Sequence, residues 1–163
     1  MRSLGTLDGP LRRAVHRLKY RGRSGAARTL AGLLVPLAAE LTPGRPAPAA
    51  VLIPVPLDPG RERQRGYNQA ALLARPLAGA LRLPCAPGLL RRRRPTLPQV
   101  GLSRARRWEN VRDAFQAHPD VSGREVLLVD DVTTTGSTLG SAAGACRAAG
   151  ALRVSAITLA REL

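Results

Sequence analysis

Apolar side chains recur at helical spacing in two stretches near the start of the chain. From Asp8 to about Lys19, Leu11, Val15 and Leu18 share one face, while Arg12, Arg13, Arg17 and Lys19 make up the other; Asp8 is placed to cap and Pro10 suits the first turn. The stripe Leu30, Leu33, Leu34, Leu37 and Leu41 predicts a second helix over 25–41, interrupted or kinked at Pro36. TPGRPAPAA at 42–50 reads as a linker or turn, and VLIPVP at 51–56 as a short buried strand ended by prolines. LDPGRERQRGYNQ follows as a polar loop, then AALLARPLAGAL as a helix despite Pro76. A short strand is expected around Leu83 to Ala86, ahead of the basic segment GLLRRRRPTLPQVG, which has few helix signals. Trp108, Val111 and Phe115 are spaced for a short helix or a docked turn.

The clearest strand is Glu125 to Val129, followed by the helix-forming stretch STLGSAAGACRAAGA and one more strand from Leu152 to Leu159. Strand, helix, strand with crossovers of this length predicts an α/β fold, a parallel sheet with helices on both faces. The 163 residues suit one domain, divided as an N-terminal helical segment over 1–45 and an α/β core over 46–163.

Charge changes this picture by its distribution. The net charge is +15, and the basic side chains are 25 Arg and a single Lys, Lys19. Residues 1–107 carry a net +17 and residues 108–163 a net −2, so the excess belongs to the first two-thirds. An anionic partner follows, whether nucleic acid, membrane surface or polyphosphate. Four aromatics, Tyr20, Tyr67, Trp108 and Phe115, are poor material for a dedicated single-strand stacking platform. Cys85 and Cys146 lie far apart with no CxxC pair, which argues against a zinc ribbon or a disulfide scaffold and for small buried hydrophobes. No apolar run is long enough for a membrane span and no signal-peptide core is present, so the expected location is cytoplasmic.

The segment VLLVDDVTTTGSTL, residues 126–139, carries the chemistry. A hydrophobic strand ends in Asp130 and Asp131, and a loop of hydroxyls with one glycine opens a helix. Ligands of open α/β sheets bind beyond the carboxyl ends of the strands, where this loop belongs. Thr133, Thr134, Thr135, Gly136, Ser137 and Thr138 offer hydroxyls, close backbone approach and helix N–H groups, an arrangement suited to phosphate. The Walker and dinucleotide glycine patterns are absent. Two ionised carboxylates beside a phosphate cradle suit vicinal hydroxyls, because both O–H groups can donate to them; a ribose 5-phosphate answers that description.

That run resembles the 5-phosphoribosyl-1-pyrophosphate (PRPP) signature of type I phosphoribosyltransferases. HRLKYRG at 16–22, RQRGYNQAALLA at 63–74 and QVGLSRARRWENVRDAF at 99–115 narrow the resemblance to the ComF-type, or competence protein F, branch, from about Leu11 to Leu159. The resemblance implies that Asp130 and Asp131 hold the ribose hydroxyls and that residues 133–138 cradle the 5-phosphate. It implies that Arg63, Arg65, Gly66, Tyr67 and Asn68 meet the pyrophosphate, with Arg61 adding charge. It implies a mobile loop over 91–107, including Arg91, Arg92, Arg93, Arg94 and Gln99, and Mg²⁺ carried by PRPP near Asp130 and Asp131 with no direct protein ligand. The implied reaction is pentosyl transfer from PRPP to a nitrogen acceptor with release of pyrophosphate. The branch's cysteine-rich zinc segment is missing, so no zinc is expected. Its link to natural transformation keeps a second function open, as an accessory protein for single-stranded DNA and competence partners that retains a PRPP pocket.

Several points stay open at this level. Arg91 to Arg94 fit a nucleic-acid contact, a catalytic loop or a solvated charge run. Neither a catalytic residue nor an acceptor is indicated, and a hood to select the acceptor must come from 1–45 or from a second copy in a homodimer. His16 reads as a surface or half-buried residue and His118 as part of a turn, whereas Tyr67 is the aromatic expected near the site.

Overall fold

A computed structural model of the chain describes residues 1–21, 24–42, 50–94, 110–111 and 113–162. Their central feature is a four-stranded parallel sheet in the order β1-β6-β5-β2, built from β1 (Arg2–Thr6), β2 (Ala50–Pro54), β5 (Glu125–Thr133) and β6 (Arg153–Arg161). All five residues of β2 are buried and Val126 to Val129 of β5 are buried, as central parallel strands covered on both faces require. The predicted α/β class is the one observed.

Alternation along β5 sorts its side chains between two cores. Leu127 and Val129 join α1 (Gly9–Arg21), α2 (Ser24–Leu41) and α4 (Gln69–Leu81) through Val15, Leu18, Leu34, Leu73 and Leu77. Val126 and Leu128 face the other way, toward α5 (Ser137–Ala148) and a two-stranded antiparallel ribbon of β3 (Leu90–Arg92) and β4 (Phe115–Ala117). Each fully buried Leu or Ile contributes about 1.5–3 kcal/mol. That burial carries α2 through Pro36 and α4 through Pro76, where a lost hydrogen bond and ring clash cost about 3 kcal/mol.

Five expectations change. The N-terminal segment is more than helical: β1 pairs with β6 at the sheet edge, and α1 and α2 share the core with β5 and β6. The polar loop after β2 contains α3 (Pro59–Arg65), whose signals are all local. Asp58 accepts from the Gly60 and Arg61 N–H groups at 3.0 and 3.3 Å, Pro59 opens the helix, and Gly66 closes it at φ 80°. Arg91 and Arg92 belong to β3 rather than to a loop, because Phe115 to Ala117 supply the pairing strand. Finally, β5 does not stop at the acids but runs through them to Thr133, since Asp130, Val132 and Thr133 continue the ladder with Thr158, Ala160 and Arg161 of β6. The strand expected at 83–86 is reduced to a single bridge from Cys85 to Leu52. Cys146 is buried as expected and Cys85 is half-buried. Gln99 and Trp108 lie outside the described residues.

Candidate functional site

A cavity of about 390 Å³ opens at the carboxyl end of the sheet, lined by the ends of β2 and β5, the start of α5, α3, the last turn of α1 and Arg92 of β3. Because β5 extends to Thr133, its pleat places the two acids on opposite faces. Asp130 continues the Val126 and Leu128 side, toward Arg92; Asp131 continues the Leu127 and Val129 side, toward α1 and α4. Both line the cavity.

Asp131 is 4% exposed, with its two oxygens in different company. Oδ1 accepts from Gln69 Nε2 at 3.4 Å, and Gln69 Oε1 accepts from Arg65 Nη1 at 2.5 Å. Oδ2 lies 3.3 Å from Lys19 Nζ, an ion pair by distance, yet it completes no hydrogen bond. A buried carboxylate oxygen without a hydrogen bond is costly, and the residue that carries it lines the cavity.

Asp130 behaves differently. Its Oδ1 accepts from the Asp131 N–H at 2.8 Å, but burial first and the adjacent Asp131 second push its carboxyl well above the ordinary 3.8. With the folded value raised, the folded protein retains a proton that the unfolded chain has released, so stability falls as pH rises from 3.8 toward the folded value. Asp130→Asn removes that penalty. The expected result is a variant more stable than wild type near pH 7, by a margin that shrinks as pH falls toward 3.8; a gain of about 1 kcal/mol corresponds to roughly 2–4 °C in Tm. Melts across that pH range check it, and a constant or negative margin refutes it.

The hydroxyl loop is where the sequence places it. Thr133, Thr134, Gly136, Ser137 and Thr138 line the cavity; Thr135 does not, and its Oγ1 instead donates to Ser137 Oγ at 3.0 Å. Gly136 at φ 78° forms the N-cap of α5, a left-handed conformation that any side chain would strain. The first turn of α5 thereby opens on the cavity with its N–H groups and dipole.

The basic side is built differently from the expectation. Arg61 and Arg65, one helical turn apart on α3, both line the cavity, while Arg63 between them is exposed on the opposite side of the helix. Tyr67 and Asn68 fix the frame. The Tyr67 hydroxyl donates to the Leu18 carbonyl at 2.8 Å, and Asn68 caps α4 through the Ala70 N–H at 2.9 Å while its Nδ2 donates to the Val55 carbonyl at 3.0 Å. Of the four consecutive arginines only Arg92 lines the cavity. Its guanidinium lies 5.1 Å from the Phe115 ring centroid and its buried Nε has no hydrogen bond. Burial lowers its pKa, and Asp58 and Asp130 oppose that shift. Arg91 points outward and donates to Gln116 Oε1 from Nε and Nη2 at 3.1 and 2.7 Å.

Lys19 and Gln69 were not singled out as site residues from sequence, although both fall within quoted motifs. The available signal was the chain's only lysine among 25 arginines. Among the described residues no group of three or more His, Cys, Asp or Glu is placed to hold a metal ion, and no helix is long and apolar enough to cross a membrane.

Comparison with known proteins adds to this geometry. Residues 68–163 match the phosphoribosyl transferase domain family. The chain is 38% identical over 163 residues to DNA utilization protein YhgH of Salmonella typhi, covering 99% of this chain and 71% of that one. It is 38% identical to Competence protein F of Haemophilus influenzae, covering 97% and 71%, and 30% identical to Competence protein ComFC of Bacillus subtilis, covering 99% and 64%.

Proposed function

The chain belongs to the ComF-type branch of the type I phosphoribosyltransferase family, and from that premise we propose that its cavity binds PRPP and presents C1 of the ribose to a nitrogen nucleophile. The observation that carries this reading is Asp131, a carboxylate that lines the cavity and whose buried Oδ2 has no hydrogen bond. A ribose hydroxyl donating to it removes the deficit. Asp130 supplies the second acceptor, Thr133, Thr134, Gly136, Ser137 and Thr138 with the α5 N-terminus receive the 5-phosphate, and Arg61, Arg65 and Arg92 face the pyrophosphate.

Mg²⁺ fits this donor set as a hard ion carried on phosphate oxygens and water, with the carboxylates of Asp130 and Asp131 nearby to accept from that water; bound there it would neutralise pyrophosphate charge. The chain's own contribution to displacement is electrostatic. Negative charge grows on the departing pyrophosphate, so the three arginines stabilise the transition state more than the bound ground state. Calorimetry tests the binding step: PRPP with Mg²⁺ is expected to bind more tightly than ribose 5-phosphate or pyrophosphate alone. Equal affinities for all three, or no heat with PRPP, defeat the reading. Pyrophosphate release screened against nucleobases and small amines then tests transfer.

One surface feature favours a second reading, contact with single-stranded DNA. Arg12, Arg13 and Arg17 are exposed on α1, and Tyr20, 67% exposed, carries the Arg65 guanidinium 5.7 Å from its ring centroid and His16 at 4.6 Å. The names of the relatives, DNA utilization and competence, agree with such a role. If strands bind there, log K falls linearly with log salt by about 0.7 per phosphate neutralised, and replacing the three arginines with alanine flattens the slope by about 2. A salt-insensitive complex, or an unchanged slope, eliminates it.

A further inference from the structure

The acidic pair is held by residues from two other parts of the chain, and one of them is the only lysine. Lys19 sits in the last turn of α1, beside Leu18, which is fully buried and whose carbonyl accepts from Tyr67. Its position is therefore set by the core and not by a free surface helix. From there Nζ approaches Asp131 Oδ2 at 3.3 Å while Gln69 takes Oδ1 at 3.4 Å, so the carboxylate is gripped from α1 on one oxygen and from α4 on the other.

We propose that Lys19 is a positioning residue for ligand recognition, aiming Asp131 at the ribose and supplying its counter-charge while leaving the hydrogen-bonding capacity of Oδ2 unspent. The proposal rests on the PRPP reading above. The ion pair without a completed hydrogen bond is its central observation. An ammonium is a compact charge with three rotatable donors, so it can stay beside Oδ2 while a sugar hydroxyl donates to that oxygen. A guanidinium at the same position would offer a fork that binds both carboxylate oxygens, displacing Gln69 and closing Oδ2 to the ligand. In a chain that otherwise uses only arginine for permanent positive charge, this is the place where arginine's geometry is wrong.

Other charges around the pair do not substitute for Lys19. Asp130 shares the strand and is repulsive to Asp131. Arg92 faces Asp130 from β3, and Arg65 reaches Asp131 only through Gln69. Arg61 and Glu162 also line the cavity, with no ion pair to Asp131.

A double-mutant cycle separates positioning from general support of the fold. PRPP with Mg²⁺ is titrated by calorimetry into wild type, K19M, K19R, D131N and K19M/D131N, with a thermal melt of each. K19M is expected to bind about 10-fold more weakly, and K19R, despite its charge, to lose at least as much. In the D131N background, K19M is expected to change affinity by less than about 3-fold, because the group it acts through is gone. If K19M alone fails to fold through the unpaired buried Asp131, K19Q keeps a donor and takes its place in the cycle. Wild-type affinity in K19M, full rescue by K19R, or independent effects of K19M and D131N that multiply in the double variant would overturn the proposal while leaving the PRPP reading standing. No binding to wild type overturns the PRPP reading itself, and the proposal with it.

Discussion

Asp131→Asn weakens PRPP binding by about 2–3 kcal/mol, roughly 30- to 150-fold, while the protein stays folded. The substitution is isosteric, so packing around the 4% exposed side chain is kept. Its effect is chemical. One carboxylate oxygen becomes an NH₂ group, and either orientation is wrong: toward Lys19 it sets donor against donor, and toward Gln69 Nε2 it does the same while leaving the ammonium only a neutral acceptor. The ribose hydroxyl loses a charged acceptor in a buried place, where hydrogen bonds to charged groups are worth most. Calorimetry with PRPP and Mg²⁺ measures the loss, and affinity within 3-fold of wild type contradicts the assignment of Asp131 to the ribose. The contrast with Asp130→Asn, expected to stabilise the empty protein, separates the two acids: burial and repulsion make Asp130 a cost to the fold, whereas Asp131 has a cation beside it.

Replacing Arg92 is expected to cost PRPP about 10- to 100-fold in affinity, as either Arg92→Ala or Arg92→Lys. Lysine is no conservative substitute here. The guanidinium sits over the Phe115 ring, and its Nε is already stripped of water without a hydrogen bond, so it presents a charge ready to accept an anion. A lysine loses both the stacking and the fork, and its stronger hydration opposes burial. The loss is expected to be selective. Ribose 5-phosphate, which lacks the pyrophosphate, should bind Arg92→Lys within about 3-fold of wild type, whereas pyrophosphate and PRPP are both weakened. Equal losses for all three ligands point to a distorted cavity and count against Arg92 as the pyrophosphate anchor.

Arg92 also illustrates what was hidden in the sequence. Four consecutive arginines look alike, and only pairing with Phe115, Gln116 and Ala117 turns Arg91 outward to Gln116 and Arg92 inward to the cavity. Such a ribbon of three residues per strand has no periodicity to detect. By contrast α3 is legible in the sequence: Asp58, Pro59 and Gly66 are a complete set of local start and stop signals, set within a run that reads as polar loop. The helix explains why Arg61 and Arg65 share the cavity while Arg63 does not.

Taken by itself, the sequence determined the α/β class, the long helices and the contiguous run from Val126 to Leu139 that makes the acidic pair and the hydroxyl cradle. Those features depend on interactions within a few residues, on the pleat, on caps and on one glycine at positive φ, so adjacent letters suffice to encode them. The tertiary structure decided which face each carboxylate takes beyond Val129, because β6 continues to pair with β5 and keeps the pleat going past the acids. It also decided that Arg2–Thr6, a short stretch with little apolar pattern, becomes an edge strand, and that Lys19, Gln69 and Arg92 converge on the pair. Their meeting is set by burial of the apolar faces of α1, α4 and the ribbon against the sheet, a non-directional force that fixes where polar neighbours end up without leaving a mark beside them in the chain.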